Sequence, residues 1–249
     1  MPGIPASSVS IWRMSPGCTS IAASLAYPCD MSNDREMAWA AAGAACASLV
    51  TNGMRVGLGT GRAAAAGIHA LGERVRTEGL LIVGVPTSPR SEEAARAAGI
   101  VIGLPGDPLD LAFDGADAID PTGLCVKGAG GAMVRERVLA DSAPRFIVLV
   151  DPPKIVGSLD EWGLLPIAVV PFAATRVVAQ LADLAPVTRE APSDDNMVLV
   201  DLTVPPGADW QQLADRVRAL PGVLDHGLFQ LVLDDVLIGH SDGSVTTAA

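Results

Sequence analysis

Continuous apolar runs alternate with helical patterns through the first part of the chain. Five runs have the length of buried strands, and they read MRVGL (54–58), LLIVGV (80–85), DLAF (110–113), LCVK (124–127) and RFIVLVD (145–151), with a shorter strand around Val101. Helical patterns lie between several of them, at 33–49, 63–75, 91–99 and 132–140. Because the strands are apolar throughout rather than at alternate positions, both of their faces are expected to be covered. The alternation predicts an α/β fold with a doubly wound, mostly parallel sheet.

The pattern becomes shorter from about residue 160. Strands and helices alternate there in brief units, which read LLPIAVVPF (164–172), TRVVAQLADL (175–184), MVLVDLTV (197–204), WQQLADRVRAL (210–220) and VLDHGLFQLVL (223–233). This order predicts a second, smaller α+β domain over 160–229. The tail VLIGHSDGSVTT (236–247) is expected to rejoin the main sheet, so the main domain is formed by 31–159 together with 230–249.

The first thirty residues differ in composition from the rest, being rich in serine, proline, cysteine and alanine. They lack the charged start and the long apolar centre of a secretory signal. Two interpretations stay open. Residues 1–30 form a poorly ordered N-terminal extension, or Met31 is the working initiator.

Charge and composition exclude several classes of function. The net charge of −11 disfavours nucleic-acid binding, which requires a basic surface. No apolar run reaches the roughly 18 residues that a membrane-spanning helix needs. The four cysteines and three histidines are scattered without metal-ligand spacing, so no metal site is expected, and buried free cysteines suit a reducing compartment. An anionic small substrate remains compatible with this charge if backbone amides and a few cations attract it locally.

One short stretch, from Phe113 to Glu136, concentrates the chemistry of the chain. It contains three carboxylates, one lysine and a glycine-rich turn, namely Asp114, Asp117, Glu136, Lys127, Gly128, Gly130 and Gly131. The predicted strand ends and the helix start gather at one edge of an α/β sheet, where such folds bind ligands. A plainer interpretation also stands, in which Asp114 and Asp117 are turn residues and Glu136 is a surface residue between two arginines.

A second glycine-rich segment, GLGTG (Gly57–Gly61), follows a strand and opens a helix. This geometry suits a phosphate held on free backbone amides, although the segment can also be a plain tight turn. It is not a dinucleotide fingerprint, because Arg62 occupies the position of the third glycine. Thr87 and Ser88, at the end of the next strand, strengthen the case for an anion site. The helix that follows is expected to be capped by Ser91.

Together these groups suit a proton transfer beside a carbonyl. A carboxylate can take a proton from the carbon next to a carbonyl and return it one carbon further on. A lysine and oriented amides can hold the negative oxygen that forms meanwhile. Aldose–ketose isomerisation needs these groups and neither a metal nor a redox cofactor, so no cofactor is expected.

The ordered motifs of the chain resemble those of type A ribose-5-phosphate isomerases. The resemblance rests on GLGTG, VPTS, DGAD, KGAGGAMVRE, FIVLVDPPK, LPIAVVPFA, SDDNMVLVDL and PGVLDHGLF, which cover the chain from about Met31 to its end. It implies a Rossmann-like domain with a small lid domain and a homodimer. It also implies a cytoplasmic, metal-free enediol isomerase of the non-oxidative pentose phosphate pathway, which interconverts D-ribose 5-phosphate and D-ribulose 5-phosphate.

The resemblance also implies roles for single residues. Glu136 corresponds to the catalytic base and Lys127 to the cation beside the enediolate. Asp114 and Asp117 correspond to acids that assist ring opening and bind sugar hydroxyls. Lys154 corresponds to a further substrate-binding lysine, and Thr60 and Gly61 correspond to part of the phosphate loop.

The chain departs from the family pattern beside the phosphate. The family's loop commonly continues TGSTA, whereas here Arg62 and Ala63 replace the two hydroxyl residues. Arg62 can compensate as a charged phosphate ligand, or it can point away. Two alternatives to the isomerase therefore remain. One is a related sugar-phosphate enzyme such as a deaminase, lactonase or CoA transferase, and the other is a non-catalytic sugar-phosphate sensor.

Overall fold

The computed structural model describes residues 33–248. The predicted N-terminal extension, 1–30, therefore lies outside the described residues. The helices are α1 (Asn33–Ser48), α2 (Arg62–Glu78), α3 (Pro89–Ala97), α4 (Met133–Ser142), α5 (Ala174–Gln180) and α6 (Trp210–Arg218). The first seven strands are β1 (Arg55–Leu58), β2 (Val83–Pro86), β3 (Val101–Ile102), β4 (Leu111–Gly115), β5 (Ala118–Ile119), β6 (Leu124–Val126) and β7 (Phe146–Val150). The others are β8 (Leu164–Val169), β9 (Val187–Thr188), β10 (Val198–Thr203), β11 (Val223–His226), β12 (Leu228–Gln230), β13 (Val236–Gly239) and β14 (Val245–Thr247).

The largest sheet has seven strands in the order β14-β13-β7-β4-β1-β2-β3. Its pairs are parallel except for the antiparallel pair of β13 with β14. Strand β1 pairs with β2 on one side and with β4 on the other. Later strands are therefore added to the sheet on both sides of β1. The predicted doubly wound, mostly parallel sheet is confirmed. The tail also rejoins this sheet, as expected, because it contains β13 and β14.

Both faces of the main sheet are covered, as its continuous apolar strands predicted. Leu111 and Phe113 of β4 join a core cluster with residues of α1 and α2. Ala112, between them, joins a different cluster with Leu139 of α4. Successive strand residues point to opposite faces, so α4 packs on the face opposite to α1 and α2.

A four-stranded antiparallel sheet of order β11-β8-β10-β9 forms within the segment predicted as the smaller domain. Its inner residues, including Ile167 and Val200, pack in one cluster with Val177 of α5 and Leu213 of α6. The sheet is built around the antiparallel pairing of β8 with β10, two strands that α5 and β9 separate along the chain. The two-residue strand β9 has no apolar pattern that would have revealed it. The boundaries 160 and 229 stay a prediction.

The predicted strand at 223–233 is two strands, which separate at Gly227. Strand β11 pairs with β8, whereas β12 pairs with β6 in a three-stranded sheet of order β12-β6-β5. At the junction the Gly227 carbonyl accepts a hydrogen bond from the Lys127 N–H at 2.8 Å. A Cβ at position 227 would lie 2.1 Å from the Lys127 carbonyl oxygen, so only glycine fits. The switch between sheets thus fixes the backbone of Lys127.

Candidate active site

Three charged side chains from different elements meet in the interior. Asp114 lies near the end of β4, Lys127 follows β6, and Glu136 lies in the first turn of α4. The Lys127 Nζ is 2.9 Å from Asp114 Oδ2 and 3.3 Å from Glu136 Oε2, and it also donates to the Gly115 carbonyl. The exposed fractions are 1% for Asp114, 2% for Lys127 and 5% for Glu136. Such burial of charged side chains is rare unless they are paired, which makes this cluster the strongest candidate for an active centre.

The backbone around β1 holds the Asp114 carboxylate in a fixed orientation. Asp114 Oδ1 accepts hydrogen bonds from the Thr60 N–H at 2.9 Å and from the Gly115 N–H at 2.7 Å. Gly59 allows this approach, because a Cβ there would lie 2.2 Å from Asp114 Oδ1. The second oxygen, Oδ2, is left to face Lys127.

The arginines on either side of Glu136 direct it inward. Arg135 forms a bidentate pair with Asp195, at 2.6 and 2.8 Å. Arg137 pairs with Asp225 and donates to two backbone carbonyls of the β11–β12 region. Glu136, between them, is only 5% exposed, so its interpretation as a surface residue is wrong.

The charges in this cluster shift one another's ionisation. Burial, and then the negative charge of Asp114, raise the pKa of Glu136 from 4.5 to about 8, although Lys127 opposes the shift. For Lys127, burial works against the charged form, but Asp114 and Glu136 outweigh it and raise the pKa above its ordinary value. The cluster therefore combines a permanent ammonium with a carboxyl group that can exchange a proton near neutral pH.

Asp117 lies beside the cluster, against the glycine-rich turn. Its Oδ2 accepts a hydrogen bond from the Ala129 N–H at 2.9 Å. Burial raises the pKa of Asp117 above its ordinary value, and this hydrogen bond and nearby cations, including Lys154, oppose the shift. The turn reaches Asp117 because its backbone takes conformations that favour glycine, with φ values of 113° at Gly128 and 82° at Gly131.

Lys154 belongs to a short 3-10 helix, Pro152–Lys154, which follows β7. Its Nζ lies 5.7 Å from the centroid of the Trp162 ring. Burial lowers its pKa, and the charges of Asp117 and Asp151 oppose that change. Lys154 is thus near enough to Asp117 for the two charges to interact.

Hydroxyl groups from two strand ends meet at the predicted phosphate loop. Thr60 Oγ1 is 2.7 Å from Thr87 Oγ1 and 2.8 Å from Ser88 Oγ, to which it donates. Helix α2 begins at Arg62 after Gly61, whose φ is 107°, and no side chain caps its amides. Uncapped amides at a helix N-terminus can bind an anion.

The expected cap of helix α3 is wrong by three residues. Helix α3 begins at Pro89, and Ser88 is the N-cap. Ser91 is the other member of the capping box, and each side chain accepts from the other's N–H. A proline at the first helical position suits this start because it has no N–H to satisfy.

Arg62 lies at the mouth of this region rather than inside the hydroxyl cluster. It is exposed, and its guanidinium carbon is 4.6 Å from the centroid of the Trp39 ring. Trp39 is itself fixed, because its Nε1–H donates to Asp151 Oδ1 at 3.1 Å. No hydrogen bond or ion pair ties Arg62 down within residues 33–248, so its charge is available to an anion.

A cavity of about 540 Å³ opens over the phosphate loop. Its lining includes Thr60, Arg62, Ser88, Arg90 and Gly130. The lining joins the loop after β1, the start of α3 and the glycine-rich turn. This cavity therefore brings together most of the predicted substrate-binding residues, and its two arginines suit an anionic ligand.

Sequence reasoning missed the residues that hold the site from outside. Arg189 donates to the Gly128 and Ala129 carbonyls and pairs with Asp201. Trp39 lies under Arg62. In the sequence, the one indication for Arg189 is that its charge is opposite to that of Asp201. This indication can be used only when the pairing of β9 with β10 is known.

The family model for ribose 5-phosphate isomerase A (phosphoriboisomerase A) matches residues 83–243. The chain belongs to this family. It is 44% identical to a ribose-5-phosphate isomerase A of Methanosarcina acetivorans, over 82% of this chain and 91% of that protein. It is 40% identical to the enzyme of the same name from Thermomicrobium roseum, over 79% of this chain and 87% of that protein. These names do not favour the deaminase, lactonase, CoA-transferase or sensor alternatives.

Solved structures of family members share the fold. The ribose 5-phosphate isomerase A of Methanocaldococcus jannaschii superposes with a TM-score of 0.79 at 32% identity, covering 85% of this chain and 98% of that one. A D-ribose-5-phosphate isomerase in complex with phospho-erythronic acid gives a TM-score of 0.79 at 29% identity, covering 86% and 98%. The Rossmann-like α/β architecture implied by the resemblance is thereby confirmed. Across residues 33–248 the helices are too short or too polar to cross a membrane.

Proposed function

We propose that the chain interconverts D-ribose 5-phosphate and D-ribulose 5-phosphate through an enediolate, in the non-oxidative pentose phosphate pathway. The observation that carries the proposal is the buried Lys127 ammonium, which lies between the carboxylates of Asp114 and Glu136. Proton transfer beside a carbonyl requires a base and a fixed positive charge close together, and Glu136 and Lys127 supply this pair. Membership of the isomerase family supports the same reaction.

In the proposed reaction Glu136 takes the proton from C2 of the open-chain aldose. The electron pair of that C–H bond forms the C1–C2 double bond, and negative charge develops on the carbonyl oxygen at C1. The proton of the C2 hydroxyl then passes to the negatively charged oxygen at C1. Glu136 returns the carbon-bound proton to C1, and the electron pair left on the oxygen at C2 forms the new C2 carbonyl. A base of this kind contributes roughly 10²–10⁴-fold, most effectively with a pKa near the working pH, and the pKa of Glu136 of about 8 meets that condition.

Lys127 has the electrostatic role in this proposal. Its position is set before substrate arrives, by the Gly227 contact to its backbone and by Asp114 at its Nζ. A preorganised donor to a developing oxyanion is worth about 10²–10³-fold in kcat. Lys127 and backbone amides supply the positive charge, so the reaction requires no metal or cofactor. Asp114 and Asp117 bind the sugar hydroxyls and assist ring opening.

The phosphate end of the substrate is assigned to the cavity over the loop after β1. Thr60, Gly61 and Arg62 line it from one side and Ser88 from the other. The Thr87 hydroxyl is buried and supports the loop through Thr60, with 2.7 Å between the two Oγ1 atoms. The glycine-rich turn closes the site beside the sugar through Gly128, Gly130 and Gly131, with Lys154 near the hydroxyl-binding Asp117. A related isomerase binds phospho-erythronic acid, whose phosphate and carboxylate have the charge pattern of the proposed enediolate.

The test is isomerisation of ribose 5-phosphate by the purified full chain in the presence of a metal chelator, measured as ketose formation. Free ribose and other pentose phosphates form the comparison arms. Glu136→Gln should lower kcat by about 10²–10⁴-fold. Glu93→Gln, the same substitution at an exposed position of α3, is the matched control and should leave kcat unchanged.

Each outcome decides one part of the proposal. A wild-type chain that binds ribose 5-phosphate without forming ketose would refute the isomerase function and select the sensor alternative. A Glu136→Gln variant with near wild-type turnover would refute the assigned base while leaving the reaction intact. Equal turnover of ribose and ribose 5-phosphate would contradict the phosphate assignment.

The expected partners are a sugar phosphate as ligand and a second copy of the chain, acting in the cytoplasm. The second copy is what the resemblance to the family implies, and it is tested by sedimentation velocity of the purified chain at micromolar concentration. A single species with the mass of one chain would contradict the homodimer.

A further inference from the structure

Arg189 connects the antiparallel sheet to the glycine-rich turn beside Asp117. Its guanidinium forms a bidentate pair with Asp201 of β10, with Nε 2.8 Å from Oδ2 and Nη2 2.6 Å from Oδ1. The remaining nitrogen, Nη1, donates to the Gly128 carbonyl at 2.8 Å and to the Ala129 carbonyl at 3.2 Å. One planar side chain thus joins a carboxylate in one sheet to two adjacent peptide groups in the turn.

The first of these peptide groups, formed by the Gly128 carbonyl and the Ala129 N–H, makes the contact with Asp117. Ala129 accepts from Arg189 through its carbonyl, and its own N–H donates to Asp117 Oδ2 at 2.9 Å. The N–H of Ala129 belongs to the same peptide plane as the Gly128 carbonyl, so holding that carbonyl sets the direction of the N–H. The contacts therefore form a continuous path from Asp201 through Arg189 and the turn to Asp117.

The turn needs such an external contact because its own structure is weak. Ala129 and Gly130 are exposed, and Gly128 has a φ of 113°. Glycine backbone is the most freely rotating in a chain, so a short turn rich in it loses direction easily. Arg189 directly follows β9, and its N–H donates a hydrogen bond to the Leu199 carbonyl of β10. Its backbone is therefore held independently of the turn.

We propose that Arg189 is a positioning residue for the isomerisation: by holding the Gly128 and Ala129 carbonyls it directs the Ala129 N–H onto Asp117. In this way the antiparallel sheet controls an acid that binds the sugar and assists ring opening. The inference rests on the proposed function for the role of Asp117, but the contact path itself does not depend on it.

Electrostatics support the same assignment. The charged and titratable groups that face Asp117 are Lys127, Lys154, Arg189, Glu136 and Cys125. Burial raises the pKa of Asp117, and the Ala129 hydrogen bond and the Arg189 charge both oppose that rise. Loss of Arg189 removes its charge and weakens the hydrogen bond, so the pKa of Asp117 should increase further.

Two substitutions separate the charge of Arg189 from its shape. Arg189→Ala removes both, whereas Arg189→Lys keeps a positive charge but has no planar fork to span Asp201 and two carbonyls. The matched control is Arg216→Ala. Arg216 forms an equivalent bidentate pair with Asp183, at 2.7 and 2.8 Å, and neither side chain contacts the turn.

The measurement is the pH dependence of kcat and KM for ribose 5-phosphate in the full chain. Arg189→Ala should lower kcat about 100-fold, the scale expected when a reacting group is misplaced by about 1 Å, and move the acidic limb to higher pH. Arg189→Lys should also lower kcat, by at least about tenfold, with a smaller displacement of that limb. Arg216→Ala should stay within about twofold of wild type. Kinetics and pH profiles of both Arg189 variants that match those of Arg216→Ala would overturn the inference.

A second readout does not depend on catalysis. The carboxyl carbon of Asp117 can be titrated by ¹³C NMR, with its signal assigned from the Asp117→Asn variant. An upward shift of its pKa in Arg189→Ala supports the inference, and an unshifted titration overturns it even if the wild type does not isomerise ribose 5-phosphate. If Arg189→Ala does not fold, as judged by thermal unfolding, the same two measurements on Arg189→Lys decide the question.

Discussion

Replacing Glu136 with glutamine should make the protein more stable at alkaline pH while it abolishes most of the activity. The reason lies in the pKa of this carboxyl group, which burial and the charge of Asp114 raise from 4.5 to about 8. Between these values the folded chain keeps a proton on Glu136 that the unfolded chain has released. The free energy of unfolding of the wild type therefore falls as pH rises through this range.

The magnitude follows from the same two values. Each pKa unit corresponds to about 1.36 kcal/mol, so the ionisation of Glu136 costs the folded state about 5 kcal/mol once the pH exceeds about 8. Glutamine has nearly the same shape and does not ionise. It also removes the ion pair with Lys127, which lies 3.3 Å away, so the gain in stability is at most this amount.

The assay is denaturant unfolding of wild type and Glu136→Gln at about pH 5 and at about pH 9. The loss of stability caused by ionisation of Glu136 is small at the lower pH and nearly complete at the higher one. The difference in free energy of unfolding should move in favour of the variant by several kcal/mol between the two conditions. Glu93→Gln controls for the general effect of removing a negative charge from this acidic protein. If the difference in free energy of unfolding is the same at both pH values, the pKa of Glu136 is not raised in the folded chain and the reasoning is refuted.

Three further outcomes are expected. Gly59→Ala should lower kcat about 100-fold, because the added Cβ would lie 2.2 Å from Asp114 Oδ1 and would displace that carboxylate. Unchanged kinetics would show that Asp114 can move without loss of activity. Arg62→Ala should raise the KM for ribose 5-phosphate with little change in kcat, and an unchanged KM would show that Arg62 does not bind the phosphate. Asp117→Asn should reduce kcat, whereas Asp120→Asn, in a neighbouring turn, should not; equal losses in both variants would assign only a structural role to Asp117.

The pattern of apolar positions was sufficient for the main architecture. Continuous apolar strands that alternate with helical patterns predicted a sheet covered on both faces, and β1, β2, β4 and β7 form its centre. The pattern was insufficient where strands are short or change partners. Strand β9 has two exposed residues, and β11 and β12 look like one apolar run although Gly227 sends them into different sheets.

The candidate site was predictable where its residues lie close along the chain. Asp114, Asp117, Lys127 and the glycine-rich turn belong to one short segment, so turn chemistry and strand ends were enough to group them. Glu136 was ambiguous, because it lies between two arginines and the sequence pattern does not show whether it is on the buried or the exposed face of its helix. Its burial depends on the partners of those arginines, which lie about 60 and 90 residues further along the chain.

The sequence by itself thus determined the parallel sheet, the family and the candidate set of proton-transfer groups, because these depend on local propensity, periodicity and short-range spacing. The tertiary structure decided the ionisation of Glu136, the position of Arg62 on Trp39 and the contact of Arg189 with the glycine-rich turn. Each of these depends on burial or on contacts between residues far apart in the chain, and neither quantity is present in a linear pattern. The candidate proton-transfer groups lie in short local motifs, whereas their ionisation and positions depend on the packing of distant elements around them.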